Sequence, residues 1–287
     1  MQVISSFHSQ SKGKLYLVPT PIGNLDDMTF RAIKVLEGAD LIAAEDTRHT
    51  QQLLNHFDIH TPQISFHEHN TVQRIPELIE KLKAGEIIAQ CSDAGMPSIS
   101  DPGKELVAAA IKEGIPVAPL PGANAGLTAL IASGLVPQPF YFYGFLDRKR
   151  QQQLKELTEL KDHSETLIFY EAPHRLKKTL KAMAEVFGDD REVVLARELT
   201  KQYEEFNRGT LKDANEWYQE HQPRGEYVVL VEGNRHPVVN EEVNDKTPLE
   251  QVNAAISRGL SPNEAIKLVA KQNKVERQTL YKQYHNI

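Results

Sequence analysis

The chain has 287 residues, a length that suggests two domains and a small third. Its residues are 40% apolar and 25% charged, a composition typical of a globular protein. The 33 basic and 39 acidic residues give a net charge of −6, so any contact with nucleic acid must come from local patches. A single cysteine, Cys91, excludes a disulfide framework and a zinc site built from several cysteines, and it suits a reducing compartment.

The first 135 residues alternate between strand patterns and helix patterns. Asn70 is expected to cap the third helix, with Gln73 reaching back to it. Alternation with short connections predicts a mostly parallel sheet with helices on both faces, forming an α/β domain at residues 13–136. Apolar runs predict strands at 15–18, 41–45, 64–66, 87–91 and 116–120, and helical periodicity predicts helices at 28–38, 47–57, 70–84, 104–113 and 123–135.

The segment 136–141 is expected to form a hinge to a second α/β domain at residues 137–235. This half is rich in strands, so a mixed sheet is predicted. Strands are predicted at 141–145, 166–171, 192–198, 203–211 and 226–232, and helices at 148–160 and 174–187.

A polar linker at 234–246 precedes a small helical module at residues 247–287. Capping boxes begin at Thr247 and Ser261, and a third helix is predicted at 275–284, so residues 261–284 have a helix-turn-helix pattern. From residue 246 onward there are seven basic and three acidic residues, which fits a nucleic-acid contact. A helical cap packed on the main body is an equally weighted alternative.

The N-terminus and the apolar segments favour a cytoplasmic protein that does not enter a membrane. Residues 1–13 lack the basic region and apolar core of a signal peptide. The most apolar stretch, from Val117 to Phe145, is interrupted by four prolines and contains no clean run of about 20 apolar residues.

Three loops rich in glycine and proline follow predicted strands, at 19–25, 92–103 and 119–126. Ligands of open α/β sheets bind at the carboxyl ends of the strands, so the three loops together predict a small-molecule site. The sequence lacks G-x-S-x-G, H-E-x-x-H and G-x-G, and it therefore lacks the hydrolase elbow, the zinc-protease helix and the dinucleotide fingerprint. No metal site is predicted.

Seven segments of the sequence belong to one pattern: PTPIGNL (19–25), LIAAEDTR (41–48), SDAGMPSISDPG (92–103), PLPGANAG (119–126), TLIFYEAPHRL (166–176), ARELTK (196–201) and GEYVVLVEG (225–233). Together they resemble one enzyme family, the tetrapyrrole-methylase-like (class III) methyltransferases that use S-adenosylmethionine, and within it a branch that modifies ribosomal RNA. The sequence departs from the family pattern at Met96, where threonine is expected, and at residues 123–124.

The resemblance implies two α/β domains with S-adenosylmethionine in the cleft between them, and a homodimer. It implies methylation of the ribose 2′-hydroxyl of a cytidine in the decoding region of small-subunit (16S) ribosomal RNA. The substrate is then this RNA or the assembled small ribosomal subunit. Two alternatives are a tetrapyrrole methylase that acts on small molecules with the same fold, and a nucleic-acid-binding protein without enzymatic activity.

The resemblance also assigns a set of cofactor-binding residues to the three loops and to two strand ends of the second domain. These are Pro19, Thr20, Pro21, Gly23, Asp93, Ala94, Gly95, Met96, Ser100, Asp101, Pro102, Pro121, Gly122, Ala123, Asn124, Ala125, Tyr170, Ala172 and Arg197.

A ribose hydroxyl is a weak nucleophile, so a base must remove its proton as it attacks. The candidate bases are Glu45, Asp46, Glu171 and Glu198. The cations Arg48, Arg197 and Lys201 can lower the pKa of the hydroxyl or hold phosphates. Two structural alternatives stay open. The tetrad at 45–48 can be a helix start in which Arg48 pairs with an acid, and Arg197 with Glu198 can be an interdomain ion pair.

Two basic clusters are candidate RNA contacts through phosphates, and solvated helix faces are the alternative interpretation. The clusters are Arg148, Lys149 and Arg150, and His174, Arg175, Lys177, Lys178 and Lys181.

Overall fold

The computed structural model describes residues 13–235, 247–257, 260–273 and 275–285; the first of these ranges belongs to one compact unit and the other three belong to a second. The first unit holds two β-sheets with their helices, and the second holds three helices. Among the described residues, no helix combines the length and the apolar character needed to cross a membrane.

Five short strands of the first 120 residues pair in parallel to form one sheet: β1 (Lys14–Leu17), β2 (Leu41–Ala44), β3 (Gln63–Ser65), β4 (Ile87–Cys91) and β5 (Val117–Pro119). Their spatial order is β3-β2-β4-β1-β5, so β1 lies between β4 and β5. The predicted parallel sheet is confirmed. Its helices are α1 (Phe30–Gly38), α2 (Thr47–His56), α3 (Thr71–Ala84), α4 (Lys104–Lys112) and α5 (Ala125–Ser133), with a single 3₁₀ turn at Leu25–Asp27.

Alternating side chains along β4 show how helices cover both faces of this sheet. Ile88 packs with Leu78 of α3 and Leu106 of α4, whereas Ala89 and Cys91 pack on the other face with α1 and α2. Cys91 therefore belongs to the core, and burial raises the pKa of its thiol to about 12.

The start of α3 differs from the prediction. Asn70 was expected to cap this helix with Gln73, but its side chain makes no hydrogen bond to the first turn. Instead, its Oδ1 accepts from the His67 N–H at 2.9 Å and its Nδ2 donates to the Ser65 carbonyl at 3.1 Å. The capping prediction is therefore wrong, because a short amide side chain reaches the backbone on either side of it and here it stabilises the preceding turn.

The second sheet is mixed, as predicted, and its strands are β6 (Phe140–Gly144), β7 (Thr166–Glu171), β8 (Glu192–Arg197), β9 (Glu205–Thr210) and β10 (Tyr227–Val231). Their order is β6-β7-β10-β8-β9, with β6 and β7 parallel and the other pairs antiparallel. Its helices are α6 (Arg150–Leu160), α7 (Pro173–Phe187) and α8 (Leu211–Glu220).

Helix α8 is absent from the sequence predictions, which extended a strand to residue 211. The helix begins with a capping box, in which the Thr210 hydroxyl accepts from the Asp213 N–H at 3.1 Å and the Asp213 carboxylate accepts from the Thr210 N–H at 2.8 Å. The T-x-x-D signal was thus present in the sequence.

Helix α5 joins the two sheets of the first unit. It follows β5 of the first sheet, yet its residues Ala129 and Leu130 pack against Ile168, Val194 and Leu230 of the second. Helices α6, α7 and α8 cover the opposite face of the second sheet. The packing of α5 holds the carboxyl ends of β1, β4 and β5 beside strand ends of the second sheet.

The second unit contains α9 (Pro248–Ser257), α10 (Pro262–Gln272) and α11 (Arg277–His285). The predicted capping boxes are both present, at Thr247 with Glu250 and at Ser261 with Glu264. The predicted helix-turn-helix is therefore confirmed in its secondary structure. This unit has an apolar core of its own, made of Val252, Ala265, Ile266, Val269, Ala270 and Leu280.

Candidate active site

The three loops that follow β1, β4 and β5 are joined to one another. Thr20 and Gly95 exchange two backbone hydrogen bonds of 3.0 Å, and the Thr20 hydroxyl donates to the Ser92 carbonyl at 3.0 Å. A Cβ on Gly122 would lie 2.5 Å from the Cβ of Pro19, so the third loop packs this closely against the first only because residue 122 is glycine. The sheet order places β1 in the middle, and the loops consequently form one continuous edge.

A cavity of about 460 Å³, the strand-end cavity, lies between these loops and the ends of β7, β8 and β10. Twelve residues predicted for the cofactor or for catalysis line it: Ala94, Gly95, Met96, Ser100, Asp101, Asn124, Ala125, Tyr170, Glu171, Ala172, Glu198 and Lys201.

Other predicted residues lie outside this lining. Those predicted for the cofactor are Pro19, Thr20, Pro21, Gly23, Asp93, Pro102, Pro121, Gly122, Ala123 and Arg197. Those predicted for catalysis are Glu45, Asp46 and Arg48. Several of the loop residues shape the cavity indirectly, as the contact between the first and third loops shows.

Residues that the sequence analysis did not select supply most of the apolar wall. Tyr227 and Val228 belong to β10, whose hydrophobic run was recognised as a strand and as a family segment without a site role for either residue, and Phe145 follows the aromatic strand β6. The only feature of the sequence that could have identified these lining residues is their position at the ends of predicted strands. The full set is Ile22, Ile99, Phe145, Pro173, Ala196, Leu199, Glu226, Tyr227 and Val228.

One wall of the cavity carries a charged cluster on a strained segment. The Lys201 ammonium lies 3.0 Å from Glu198 Oε1 and 2.8 Å from Glu226 Oε2. Glu198 and Thr200 adopt φ angles of +49° and +66°, which non-glycine residues rarely adopt. Such strain persists where the surrounding structure fixes it, and it is concentrated at functional sites.

The charges of this cluster hold one another in their ionised forms. Burial alone would raise the pKa of Glu198, but hydrogen bonds from the Glu226 amide and from Lys201 hold that pKa below its ordinary value. Burial alone would lower the pKa of Lys201, but Glu226 and Glu198 raise it. Lys201 is therefore a cation, and Glu198 is a carboxylate that is already paired.

Arg197 is turned toward its own sheet. Its guanidinium lies 3.0 Å from Glu205 and donates to the Arg224 carbonyl at 2.8 Å. The ion pair formed by this residue is therefore with Glu205 of the neighbouring strand, rather than with Glu198.

The opposite wall presents an acid and a helix N-terminus. Burial raises the pKa of Asp101, and the charge of Asp93 raises it further. Asn124 caps α5 through its side chain, and the Gly126 N–H of the first turn donates to the Tyr170 hydroxyl at 3.1 Å. Burial also raises the pKa of Tyr170. A helix N-terminus beside a carboxyl group can hold both ends of a zwitterion.

The tetrad at 45–48 begins α2. Asp46 caps this helix by accepting from the Arg48 N–H at 2.8 Å, and it pairs with the Arg48 guanidinium at 2.7 Å. The Arg48 side chain holds the pKa of Asp46 well below its usual range. Burial raises the pKa of Glu45, whose carboxylate accepts from the Asp93 N–H at 3.2 Å. The helix-start interpretation therefore describes Asp46 and Arg48, whereas Glu45 lies apart from that pair.

Glu171 is only 3% exposed although it lines the cavity. Its carboxylate accepts from the Thr179 hydroxyl at 2.5 Å and the Ala172 N–H at 2.9 Å, and it lies 3.3 Å from the Arg175 guanidinium. Gln153 donates to Thr179 and extends this network into α6. Buried carboxylates with this many donors mainly fix structure.

Some side chains of the two basic clusters are held by contacts within the protein, and the others, called unengaged below, form no ion pair within the described part of the chain. Arg175 donates to the carbonyls of Leu146 and Asp147 at 2.7 and 3.1 Å, and Arg150 pairs with Glu185. Within the described part of the chain, the other six cationic or imidazole side chains form no ion pair. They are Arg148, Lys149, His174, Lys177, Lys178 and Lys181.

A family model described as Tetrapyrrole (Corrin/Porphyrin) Methylases matches residues 14–215. Among solved structures, cobalt precorrin-4 methyltransferase is similar with a TM-score of 0.59 at 19% identity, with 81% of this chain and 98% of that chain covered. Uroporphyrin-III-C-methyltransferase from Thermus thermophilus has a TM-score of 0.52 at 22% identity, covering 76% of this chain and 94% of that one. The chain belongs to the tetrapyrrole methylase family, whose methyl donor is S-adenosylmethionine.

Relatives that match over nearly their whole length indicate which kind of methyltransferase this chain resembles. "Ribosomal RNA small subunit methyltransferase I" of Bacillus subtilis (strain 168) is 54% identical over 284 residues, which cover 98% of this chain and 97% of the relative. The relative of the same name from Streptococcus pyogenes serotype M1 is 52% identical over 288 residues and covers 100% of both chains. Within the family, the chain thus belongs with the small-subunit ribosomal RNA methyltransferases, and the resemblance seen in the motifs is confirmed.

Proposed function

We propose that this chain transfers a methyl group from S-adenosylmethionine to the ribose 2′-hydroxyl of a cytidine in the decoding region of small-subunit (16S) ribosomal RNA. The observation that carries the proposal is the 54% identity over 98% of the chain to a small-subunit ribosomal RNA methyltransferase. The strand-end cavity provides the place for the methyl donor. The substrate is the ribosomal RNA or the assembled small subunit.

The residues of the strand-end cavity fit S-adenosylmethionine. The apolar side chains of Ile22, Phe145 and Val228 suit the adenosine, and the positive N-terminal end of the α5 dipole suits the carboxylate of the amino acid. Asp101 can accept from the ammonium group or from a ribose hydroxyl. When bound, the cofactor supplies a methyl group attached to a sulfonium, which is a strong electrophile.

The four candidate bases differ in how many donors already engage their carboxylates, and this difference decides which of them is free to accept a proton. Glu171 is buried among three donors, Asp46 is paired with Arg48, and Glu198 is paired with Lys201. Glu45 has one backbone donor and a pKa raised by burial, so its carboxylate accepts a proton more readily than a carboxylate that is paired with a cation. Glu45 is therefore the candidate base whose carboxylate is least engaged by other groups, and Lys201 is a cation that lines the cofactor cavity.

The unengaged cations of α7 and of the loop before α6 supply the RNA contacts in this proposal. Lys178 and Lys181 lie one helical turn apart on α7 and are both exposed. Contacts to phosphates fix the position of an RNA without reading its sequence. Because the chain as a whole is acidic, these cations concentrate attraction on one surface.

Residues 13–136 and 137–235 form the two domains that flank the cofactor, and the active species is a homodimer in the cytoplasm. The 247–287 module serves either as a second RNA contact or as a packed helical cap.

The test is an incubation of the full chain with methyl-labelled S-adenosylmethionine and three acceptors: small ribosomal subunits that lack the modification, naked 16S RNA, and uroporphyrinogen. Digestion of the RNA to nucleosides then identifies the product. Labelled 2′-O-methylcytidine is expected. Label in the porphyrinoid alone favours the small-molecule methylase, and absence of label with retained RNA binding favours the non-enzymatic protein.

A further inference from the structure

A second cavity of about 240 Å³, the α2 cavity, opens between the loop after β1, the first turns of α2 and the residues after β4. Its lining includes Thr20, Gly23 and Asp93, which were predicted for the cofactor and do not line the strand-end cavity. His49 and Gln52 of α2 also line it. The loop after β1 thus serves two cavities.

Residues that line the two cavities are in direct contact with one another. Thr20 lines the α2 cavity and Gly95 lines the strand-end cavity, and these two residues are the ones that exchange paired backbone hydrogen bonds. Gly23 lines the α2 cavity, and a Cβ there would lie 2.4 Å from Cγ of Lys201, which lines the strand-end cavity. A molecule in the α2 cavity would therefore be the immediate neighbour of the methyl donor.

The α2 cavity combines an apolar surface with polar groups at its mouth. Leu25 and Leu53 contribute the apolar part. The side chains of His49 and Gln52 are exposed and make no hydrogen bond within the described part of the chain, whereas neighbouring Gln51 donates to Asn55 at 2.8 Å and accepts from Gln63 at 2.6 Å. A nucleobase has the complementary surface, with apolar faces and an edge of donors and acceptors.

One acidic residue, Asp93, lines this cavity. Asp93 accepts at Oδ1 from the Asp46 N–H at 3.1 Å, and its own N–H donates to Glu45. The carboxylate of Asp93 is thereby fixed in orientation. It can accept a hydrogen bond from a sugar hydroxyl.

We propose that the α2 cavity receives the target ribonucleoside of the RNA, with its base edge at His49 and Gln52 and its ribose against Asp93. This inference rests on the proposed function and adds the acceptor site to it. The nucleotide must leave its stack to enter, as target nucleotides do in enzymes that act on them outside the helix. The base edge, rather than the phosphate contacts, then selects the nucleotide.

A matched pair of substitutions tests the assignment. Gln52→Trp places an indole at the mouth of the cavity, and Gln51→Trp places the same group on the same helix outside the cavity. Both positions are exposed, so neither variant changes the core; Gln51→Trp also removes the hydrogen bonds to Asn55 and Gln63, which makes it the more demanding control for folding. The full chain is assayed for methylation of small ribosomal subunits that lack the modification, and calorimetry gives the Kd for S-adenosylmethionine.

Gln52→Trp is expected to lower kcat/KM for the subunit by about tenfold or more, with the Kd for S-adenosylmethionine unchanged, while Gln51→Trp matches the wild type. Wild-type kcat/KM in Gln52→Trp, or an equal loss in both variants, overturns the acceptor assignment alone. Loss of S-adenosylmethionine binding in Gln52→Trp assigns the cavity to the cofactor instead. A wild-type chain that binds the cofactor and methylates no ribosomal RNA overturns the proposed function together with this inference.

Discussion

Substitution of Arg175 by methionine should destabilise the first unit strongly. The guanidinium lies 3.3 Å from Glu171, whose side chain is only 1% exposed, and it donates to the carbonyls of Leu146 and Asp147. Arg175→Met keeps most of the aliphatic volume but removes every one of these donors. It leaves a buried carboxylate without its cation.

These contacts set the expected loss in the free energy of unfolding. Removing one partner of a buried ion pair costs about 3–5 kcal/mol, because the remaining charge is left uncompensated. Arg175 is 18% exposed, and Glu171 keeps the Thr179 hydroxyl and the Ala172 amide, so the lower part of this range applies. We expect a loss of about 3 kcal/mol, which lowers the Tm by roughly 6–12 °C in a unit of this size.

Urea denaturation followed by circular dichroism measures the loss, with Lys178→Met as the control. Lys178 is an exposed cation on the same helix, and its substitution should change stability by no more than about 0.5 kcal/mol. If Arg175→Met unfolds within about 0.5 kcal/mol of the wild type, Glu171 is not a structural acid, and a catalytic role for it becomes the better interpretation.

Three further predictions follow from single contacts. Cys91, whose thiol pKa burial raises to about 12, should react with a thiol reagent at pH 8 more than roughly 100-fold more slowly in the native than in the unfolded chain, and equal rates would contradict its burial. Burial also raises the pKa of Glu45, so the folded state retains a proton that the unfolded chain has lost. Stability should then fall as the pH rises from the ordinary value of 4.5 through the folded pKa, and Glu45→Gln should flatten this part of a urea-denaturation profile. Gly122→Ala places a Cβ 2.5 Å from the Pro19 Cβ and should cost about 1–3 kcal/mol in denaturation while weakening cofactor binding by calorimetry, and wild-type values for both would refute the close loop contact.

Much of the fold could be predicted because local patterns and long-range packing agree in it. The strands of the first sheet are short apolar runs between helices with clear stripes, and each helix covers a face that the alternating strand residues define. Where local signals competed, the prediction failed. The strand pattern ending at residue 211 obscured the capping box of α8, and the amide of Asn70 had backbone partners on both sides.

The candidate site was predictable in its loops and less so in its individual side chains. Glycine and proline locate the three strand-end loops from the sequence alone. Which cavity a loop residue lines depends on contacts with segments far away in the chain, and these contacts have no local sequence signal. Thr20 and Asp93 line the α2 cavity because the loop after β1 bridges to Gly95. The sequence predicts Arg175 as an RNA contact, whereas in the structure its guanidinium donates to the carbonyls of Leu146 and Asp147, which lie 29 and 28 residues earlier in the chain.

The most direct test of the central claim, that the strand-end cavity holds the methyl donor, is a calorimetric titration with S-adenosylmethionine. The block is Ala94→Trp, since Ala94 is exposed and lines the cavity, and the control is Ala108→Trp on the exposed side of α4. We expect S-adenosylmethionine to bind the wild type and Ala108→Trp, and we expect binding to be lost in Ala94→Trp. Undiminished binding in Ala94→Trp would contradict a cofactor site in the strand-end cavity.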